Sequence, residues 1–230
     1  MADPIGPCNR VFVYGSLKRG QTNHHWLKGA AFVGRARLHG AELYSLGAYP
    51  MALLRSGSSD LIHGEVFEID ADGLSQLDIL EEYPNDYDRQ VLSLSDGSQA
   101  WVYVGHEELV AGCDRVEYGD WASTPVFSHG SNMDPDQLQR RGEDGDGNGV
   151  VARLDGWRWS INKLAGIVHD PGAHCWGVVR HLSQRDRPSL DRRDDVAIDH
   201  DRHQRVTVCT TTGERFDALA YVPGPGCAQR

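Results

Sequence analysis

The sequence predicts an α+β protein of two similar units, each with a small, mixed, barrel-like sheet and flanking helices. Two observations support this prediction. The elements expected along each half follow an order that is neither a regular alternation of strands and helices nor all strand. Short patterns of the first half also recur in the second half, in the same order. The length of 230 residues allows two compact units.

The internal repeat consists of four short patterns. The pairs are residues 11–17 with 126–132, 64–67 with 177–180, 77–81 with 190–194, and 100–104 with 218–222. Their offsets lie between 113 and 118 residues. We therefore expect a duplicated domain, with residues 1–118 as the first copy and residues 119–230 as a divergent, shortened second copy. The boundary should fall near residues 115–124, and the two copies should pack as a pseudo-dimer within the chain.

In the first unit, the β-branched and aromatic residues 10–14 predict a strand that Gly15 and Ser16 end. Alternating side chains in residues 61–69 predict a strand with one buried face. Further strands are expected at residues 31–37, 41–45, 87–94 and 99–104, a short helix at 21–28, and a longer helix from Asp70 or Asp72 to about residue 82. The second unit repeats this plan with strands at residues 124–129, 150–162, 173–182, 204–211 and 215–222 and a helix at 184–194.

Composition limits the possible partners. The chain has 33 acidic and 23 basic side chains and a net charge of -10, which argues against binding to the phosphate backbone of a nucleic acid. No apolar run reaches the roughly 18 residues of a membrane-spanning helix, and the first residues lack the pattern of a signal peptide. We expect a cytoplasmic protein that binds a small molecule, with no nucleic-acid or membrane partner. Its oligomeric state is left open.

The turn at Tyr14, Gly15, Ser16 and Leu17 is the first candidate binding element. Glycine permits a close approach of the backbone, and the amide groups that follow a strand end can bind an anion. The alternative is a plain connecting turn, in which Lys18 and the arginine after it are simply solvated.

Glu81 is the candidate acid. It follows Leu74 and Leu77 at helical spacing, so it should point towards the core, whereas Glu82 should lie on the surface. A carboxylate that faces a core is costly unless it is paired or used. The alternative is that Glu81 is a structural hydrogen-bond acceptor.

No metal is expected. The acidic loop at residues 144–149, with Asp155, has the spacing of a calcium loop, but a strand is expected at 150–162 where an EF-hand needs a helix. The histidine pairs, His24 with His25 and His200 with His203, lack a third ligand at a familiar spacing.

Residues 11–24, VFVYGSLKRGQTNH, resemble the opening of the γ-glutamylcyclotransferase superfamily, and most closely its γ-glutamylamine cyclotransferase branch. Further similarity extends over residues 43–52, 64–69, 77–81 and 87–89 to Tyr103. The resemblance implies a barrel-like sheet with flanking helices, a substrate loop at residues 14–17 assisted by Tyr87, and Glu81 as the acid and base. No cofactor is implied. The sequence departs from the pattern at Glu82, where many relatives have glycine.

The second unit resembles the same superfamily less closely. Its turn is His129, Gly130, Ser131 and Asn132, with His129 in place of the usual tyrosine. Asp194 stands at the position of the acid and is one methylene shorter than glutamate. We therefore expect a degenerate second site.

The resemblance implies an enzyme of the lyase or acyltransferase class. Its substrate would be a γ-glutamyl amide, cleaved by attack of the α-amine, with release of 5-oxoproline and a free amine or amino acid. The alternative is a non-catalytic protein that keeps the fold as a small-molecule binding or scaffold unit.

Overall fold

The chain divides into two units, Met1–Trp121 and Ala122–Arg230. The structure, a computed structural model, describes residues 8–140, 149–162, 164–183, 190–192, 196 and 201–224. The division lies inside the range expected from the repeat, residues 115–124.

Over residues 8–121, the first unit contains seven strands and one α-helix. The strands are β1 (Arg10–Val13), β2 (Ala31–His39), β3 (Ala41–Ser45), β4 (Pro50–Leu54), β5 (Leu61–Glu68), β6 (Tyr87–Ser93) and β7 (Gln99–Gly105), and the helix is α1 (Ala71–Leu80). Short 3₁₀ turns span His24–Leu27, Glu107–Val110 and Glu117–Gly119. Five strands form one sheet in the order β2-β5-β1-β7-β6, and β3 pairs with β4 as a separate hairpin.

Strand β1 is buried on both faces in the middle of this sheet. Val11 and Val13 pack in a cluster with Leu77 of α1, while Phe12 and Tyr14 belong to a second cluster on the opposite face. A central strand that is covered on both sides has a fixed end point. The residues after β1 therefore leave the core at a defined place.

The described residues of the second unit contain five strands and the helix α2. The strands are β8 (Ser123–Ser128), β9 (Val150–Asn162), β10 (Leu164–Ser183), β11 (Asp201–Thr210) and β12 (Arg215–Pro223), and α2 spans Pro135–Arg140. The strands close into a barrel in the order β10-β8-β12-β11-β9. A 3₁₀ turn, Gly130–Met133, follows β8.

The two sheets share their strand order and directions. In each unit the first strand is antiparallel to its neighbour on one side, β5 or β10, and parallel to the other, β7 or β12. Phe12 pairs with Val66 in the first unit, and Phe127 pairs with Val179 in the second. Both units thus have mixed sheets with few helices, which confirms the predicted α+β class.

Some local predictions are wrong. The helix expected at residues 21–28 is only the 3₁₀ turn His24–Leu27, because residues after the tight turn at Gly20 bond over three positions and not four. Strand β4 was not predicted: its residues, Pro50–Leu54, are a short apolar run, and cross-strand pairing with β3 decides their conformation. The strand expected to start at residue 173 begins at Leu164.

Two further expectations concern the alternating strand at residues 61–69 and the helix at residues 184–194. The expected alternation is not observed. Strand β5 is buried on nearly all positions and does not alternate, because it lies between β2 and β1 and is covered on both faces. Of the helix predicted at residues 184–194, residues 190–192 are helical, and the other positions lie outside the described residues.

Two equivalent glycines make room for an aromatic ring in each unit. A Cβ at Gly64 would lie 2.4 Å from Cζ of Phe12, and a Cβ at Gly177 would lie 2.5 Å from Cζ of Phe127. Any larger side chain would have to displace a ring that is 1% exposed.

Replacing Gly64 with alanine should therefore destabilise the first unit by roughly 1 to 3 kcal/mol. Gly34→Ala on the adjacent strand β2 is the matched control, because nothing lies within 4 Å of its Cβ position. Thermal and urea unfolding of both variants measure the difference. Equal stability of the two variants would contradict the packing described here.

Candidate active site

A pocket of about 210 Å³ opens where β1 ends. Its lining includes all six residues expected to bind or react in the first unit: Tyr14, Gly15, Ser16, Leu17, Glu81 and Tyr87. The volume lies below the roughly 300 to 1,000 Å³ of pockets that hold drug-sized ligands, so it suits a small metabolite.

The loop after β1 presents backbone donors to this pocket. The carbonyls of Gly15 and Ser16 accept from the amides of Lys18 and Asn23, at 3.0 and 2.9 Å. The Asn23 side chain donates to Ser16 Oγ at 3.0 Å. The amides of Gly15, Ser16 and Leu17 themselves donate to no acceptor in the described part of the chain. They remain available to an anionic group of a ligand.

Gly15 is required by its neighbour Pro50. A Cβ at residue 15 would lie 2.7 Å from Cδ and 2.8 Å from Cγ of Pro50. Pro50 begins β4 and is itself a wall of the pocket. The glycine therefore allows the loop and this wall to approach each other.

Lys18 and Arg19 are not simply solvated, contrary to the alternative expected for a plain turn. Lys18 is 9% exposed, and its Nζ donates to Asp120 Oδ1 and to the Trp121 carbonyl, each at 2.6 Å. The backbone amide of Arg19 donates to Glu65 Oε2 at 2.8 Å, and its guanidinium pairs with Oε1. The buried charge of Lys18 needs such a partner. Together, the contacts of the two residues fix the position of the loop after Leu17.

Tyr14 contributes its ring to the pocket and uses its hydroxyl elsewhere. The hydroxyl donates to the Tyr103 carbonyl at 2.7 Å and accepts from the Ala52 amide at 3.4 Å. Burial, with smaller effects from Tyr87 and Glu81, raises the pKa of Tyr14 well above its usual value. Tyr14 is therefore neutral, and its hydroxyl has a structural role directly before the loop.

Tyr87 forms the opposite wall. Its hydroxyl donates to the Pro50 carbonyl at 3.4 Å, a long hydrogen bond. Burial, followed by the charge of Glu81, raises the pKa of Tyr87, so the phenol stays protonated at neutral pH. It can donate a hydrogen bond to a ligand but cannot act as a base there.

Glu81 lies directly after the last helical residue of α1. The helix begins with Asp70, whose Oδ1 accepts from the Gly73 amide at 2.8 Å, and it is held by the buried Leu74 and Leu77. The Glu81 amide still donates to the Leu77 carbonyl at 2.9 Å, so its side chain continues the buried face towards the pocket.

Glu81 is half-buried at the pocket. Burial raises its pKa to about 7, far above the ordinary range of a glutamate. Among the residues that the structure describes, its side chain has no hydrogen-bond partner. These facts argue against a structural acceptor and fit a group kept for proton transfer.

Glu82 is exposed, as the sequence predicts, and its backbone has φ = 49°. This left-handed conformation is one that glycine adopts more readily than other residues. The Glu82 carbonyl accepts from the amides of Asn85 and Asp86, and the resulting turn leads the chain back to Tyr87.

The second unit places its predicted residues around the end of β8. His129 follows the strand, and its Nε2 bonds to the Tyr221 carbonyl at 2.9 Å. Burial lowers the pKa of His129, so the imidazole stays neutral. Gly130, Ser131 and Asn132 lie in the 3₁₀ turn. The Arg180 guanidinium stabilises this turn by donating hydrogen bonds to the carbonyls of Asn132 and Met133. Asp194 lies outside the described residues.

Sequence reasoning missed a half-buried ion pair one helical turn before Glu81. Asp78 accepts from the Tyr103 hydroxyl at 2.7 Å and from Arg89 Nη1 at 2.5 Å. The spacing of Asp78 one helical turn before Glu81 was the available signal, but nothing in the sequence identifies the two strands that supply its partners.

The metal candidates divide into described and undescribed residues. Residues 144–148 and His200 lie outside the description. His24 and His25 each bond through Nδ1 to a backbone carbonyl, and His203 bonds to Asp191. Within the described residues, no three His, Cys, Asp or Glu side chains are grouped to hold a metal ion.

Also within that part of the chain, no helix has the length and apolar character needed to cross a bilayer.

Comparison with known proteins identifies the family. A family model described as "Gamma-glutamyl cyclotransferase, AIG2-like" matches residues 11–123. The γ-glutamylcyclotransferase family protein YtfP of Escherichia coli K12 is 42% identical over 112 residues, which cover 49% of this chain and 95% of YtfP. γ-Glutamylaminecyclotransferase A of Danio rerio is 31% identical over 135 residues, 53% of this chain and 78% of that protein.

Among solved structures, YkqA from Bacillus subtilis aligns with 94% of this chain and 83% of its own, at 24% identity and a TM-score of 0.45. The family model and the sequence relatives define a γ-glutamylcyclotransferase-like protein. The chain belongs to the γ-glutamylcyclotransferase family.

The raised pKa of Glu81 predicts a pH-dependent stability. Below about pH 4 the carboxyl is protonated in both the folded and the unfolded chain. As the pH rises towards 7, the unfolded chain loses this proton first, so wild type should progressively lose stability relative to Glu81→Gln. Above pH 7 the variant should be more stable by on the order of 2 kcal/mol.

Urea unfolding at about pH 4 and about pH 8.5 measures this difference. Glu82→Gln is the control, because that side chain is exposed. A Glu81→Gln variant that is less stable than wild type at the higher pH would show that the carboxylate is paired and not desolvated.

Proposed function

We propose that the first unit cleaves a γ-glutamyl amide by attack of the substrate's α-amine on its γ-carbonyl carbon, releasing 5-oxoproline and a free amine or amino acid. The proposal is carried by one observation: the desolvated, unpaired Glu81 carboxyl and the free amides of the loop line the same small pocket. Membership in the family supports it.

The loop would hold the glutamyl end of the substrate. The free amides of Gly15, Ser16 and Leu17 suit the α-carboxylate or the oxyanion that develops on the attacked carbonyl. Tyr87 and Pro50 enclose the aliphatic part of the glutamyl group between their rings. Such confinement favours the folded conformation in which amine and carbonyl meet, and proximity can supply several kcal/mol of the barrier.

Glu81 would move the protons. The substrate's α-ammonium must lose a proton before its nitrogen can attack, and the Glu81 carboxylate accepts it. A new carbon–nitrogen bond closes the five-membered lactam, and the original amide bond breaks. The protonated Glu81 returns this proton to the departing nitrogen, and its carboxylate then takes the second proton from the ring nitrogen, which leaves with the amine as an ammonium ion. The reaction consumes no water and needs no cofactor. A pKa of about 7 suits both transfers at neutral pH.

We also propose that residues 119–230 are a divergent second copy of the catalytic domain, residues 1–118, and that the copy is catalytically silent. The shared strand order supports duplication, as does the equivalence of two hydrogen bonds: Tyr14 donates to the Tyr103 carbonyl, and His129 bonds to the Tyr221 carbonyl. The shorter Asp194 supports silence, since misplacing a catalytic group by about 1 Å can cost roughly 10²-fold in rate.

Glu81→Gln should lower the release of 5-oxoproline from γ-glutamyl amines by roughly 10² to 10⁴-fold or more, with substrate binding retained. Wild-type kcat/KM should rise with pH through about 7 as Glu81 ionises, and the variant should lack this rise. Assays over a panel of γ-glutamyl amines and amino acids, with binding measured by calorimetry, test both statements. Glu82→Gln is the control and should keep wild-type turnover. An active Glu81→Gln enzyme would refute the mechanism.

Asp194→Asn should leave turnover unchanged in the same assays. Loss of activity in Asp194→Asn together with retention in Glu81→Gln would mean that the active and silent units are exchanged. Partial loss in each would indicate two working sites. Binding without product release in wild type would instead favour a non-catalytic binding protein.

A further inference from the structure

Tyr103 makes two contacts that join the two halves of the candidate site. Its hydroxyl donates to Asp78 Oδ1 at 2.7 Å, and Asp78 lies on the last turn of α1, one turn before Glu81. Its carbonyl accepts from the Tyr14 hydroxyl at 2.7 Å, directly before the loop that presents the free amides. Tyr103 itself is 3% exposed in strand β7.

Arg89 completes the contact from the neighbouring strand β6. Its Nη1 donates to Asp78 Oδ2 at 2.5 Å, and its side chain is 9% exposed. The guanidinium also lies 4.7 Å from the ring centre of Trp101 and 5.0 Å from that of Tyr83. Each carboxylate oxygen of Asp78 therefore accepts a hydrogen bond from a different strand, Oδ1 from Tyr103 on β7 and Oδ2 from Arg89 on β6. Two such bonds restrict rotation of the helix end.

We propose that Tyr103 is the positioning residue of the site: through Asp78 it sets where Glu81 lies, and through Tyr14 it sets where the binding loop begins. This inference rests on the proposed function. Tyr103 lines the pocket, and its hydroxyl is held by Asp78 at 2.7 Å and lies 3.5 Å from the Leu74 carbonyl. Tyr103 therefore acts through its partners and not on the substrate.

The consequence of losing the hydroxyl follows from the burial of Glu81. A released helix end lets the carboxyl move towards water, which lowers its pKa towards the ordinary range and moves it away from the loop. The other titratable groups that line the pocket are Tyr14, Tyr49, Tyr87, Glu82 and Asp86, and Tyr103→Phe removes none of them. Because Tyr103→Phe changes no charge, it tests the position of the Glu81 carboxyl separately from changes in nearby charges.

The second unit supplies a matched control. Tyr221 occupies the equivalent strand β12, its hydroxyl donates to Asp191 at 2.5 Å, and His203 bonds to the same carboxyl at 2.8 Å. Tyr221→Phe removes the same kind of hydrogen bond as Tyr103→Phe. A merely structural role for the two tyrosines would give the two variants the same consequences.

The test compares Tyr103→Phe, Tyr221→Phe and wild type in the full chain. We expect Tyr103→Phe to lower kcat about 10- to 100-fold with little change in KM, and to move the acid limb of the kcat/KM profile to lower pH. NMR titration of the Glu81 carboxyl, assigned with Glu81→Gln, should show its pKa falling in Tyr103→Phe. Tyr221→Phe should match wild type in all three.

Each outcome decides a separate question. If Tyr103→Phe leaves both the Glu81 titration and kcat at wild-type values, the inference is overturned, whatever the effect on melting. If wild type releases no 5-oxoproline but Tyr103→Phe still shifts the titration, the proposed function fails and the positioning role stands.

A second pair of variants covers the case in which Tyr103→Phe does not fold. Arg89→Met removes the ion pair to Asp78, and Arg89→Lys restores one donor. We expect the kcat and the Glu81 titration of Arg89→Lys to lie between those of wild type and Arg89→Met. Equal values for the two variants would overturn the positioning role of Asp78 and its partners.

Discussion

The hydrogen bond from the Tyr14 hydroxyl to the Tyr103 carbonyl is the contact on which the site depends. Strands β1 and β7 are parallel neighbours paired at Val11 and Trp101, and this bond joins them again beyond the end of β1. The binding loop starts from this point. Glu81 is tied to the same point through Asp78, so two distant parts of the sequence meet at a fixed separation.

The second unit keeps this contact with a different donor. A carbonyl can only accept, so Nε2 of His129 carries the proton that bonds to the Tyr221 carbonyl, and the buried imidazole is neutral. His129 at the end of β8 therefore links β8 to β12, as Tyr14 links β1 to β7. What differs is Nδ1, which is buried and has no hydrogen-bond partner among the described residues.

Local periodicity explains why part of the site was predictable. The helical spacing from Leu74 and Leu77 identifies the direction of Glu81, and a glycine after an apolar strand identifies the loop. The sequence could not show that Lys18 is buried against Asp120, because such a pair depends on which distant segments meet. The short strand β4 was missed for the same reason: pairing with β3 decides its conformation.

The identity of the product tests the central claim most directly. Wild-type protein is incubated with a γ-glutamyl amide, and the released amine, 5-oxoproline and free glutamate are quantified together. Intramolecular attack assisted by Glu81 predicts one 5-oxoproline for each amine released and no glutamate above background. Glutamate in equal amount to the amine would contradict this account, because it would mean that water and not the α-amine attacks the carbonyl.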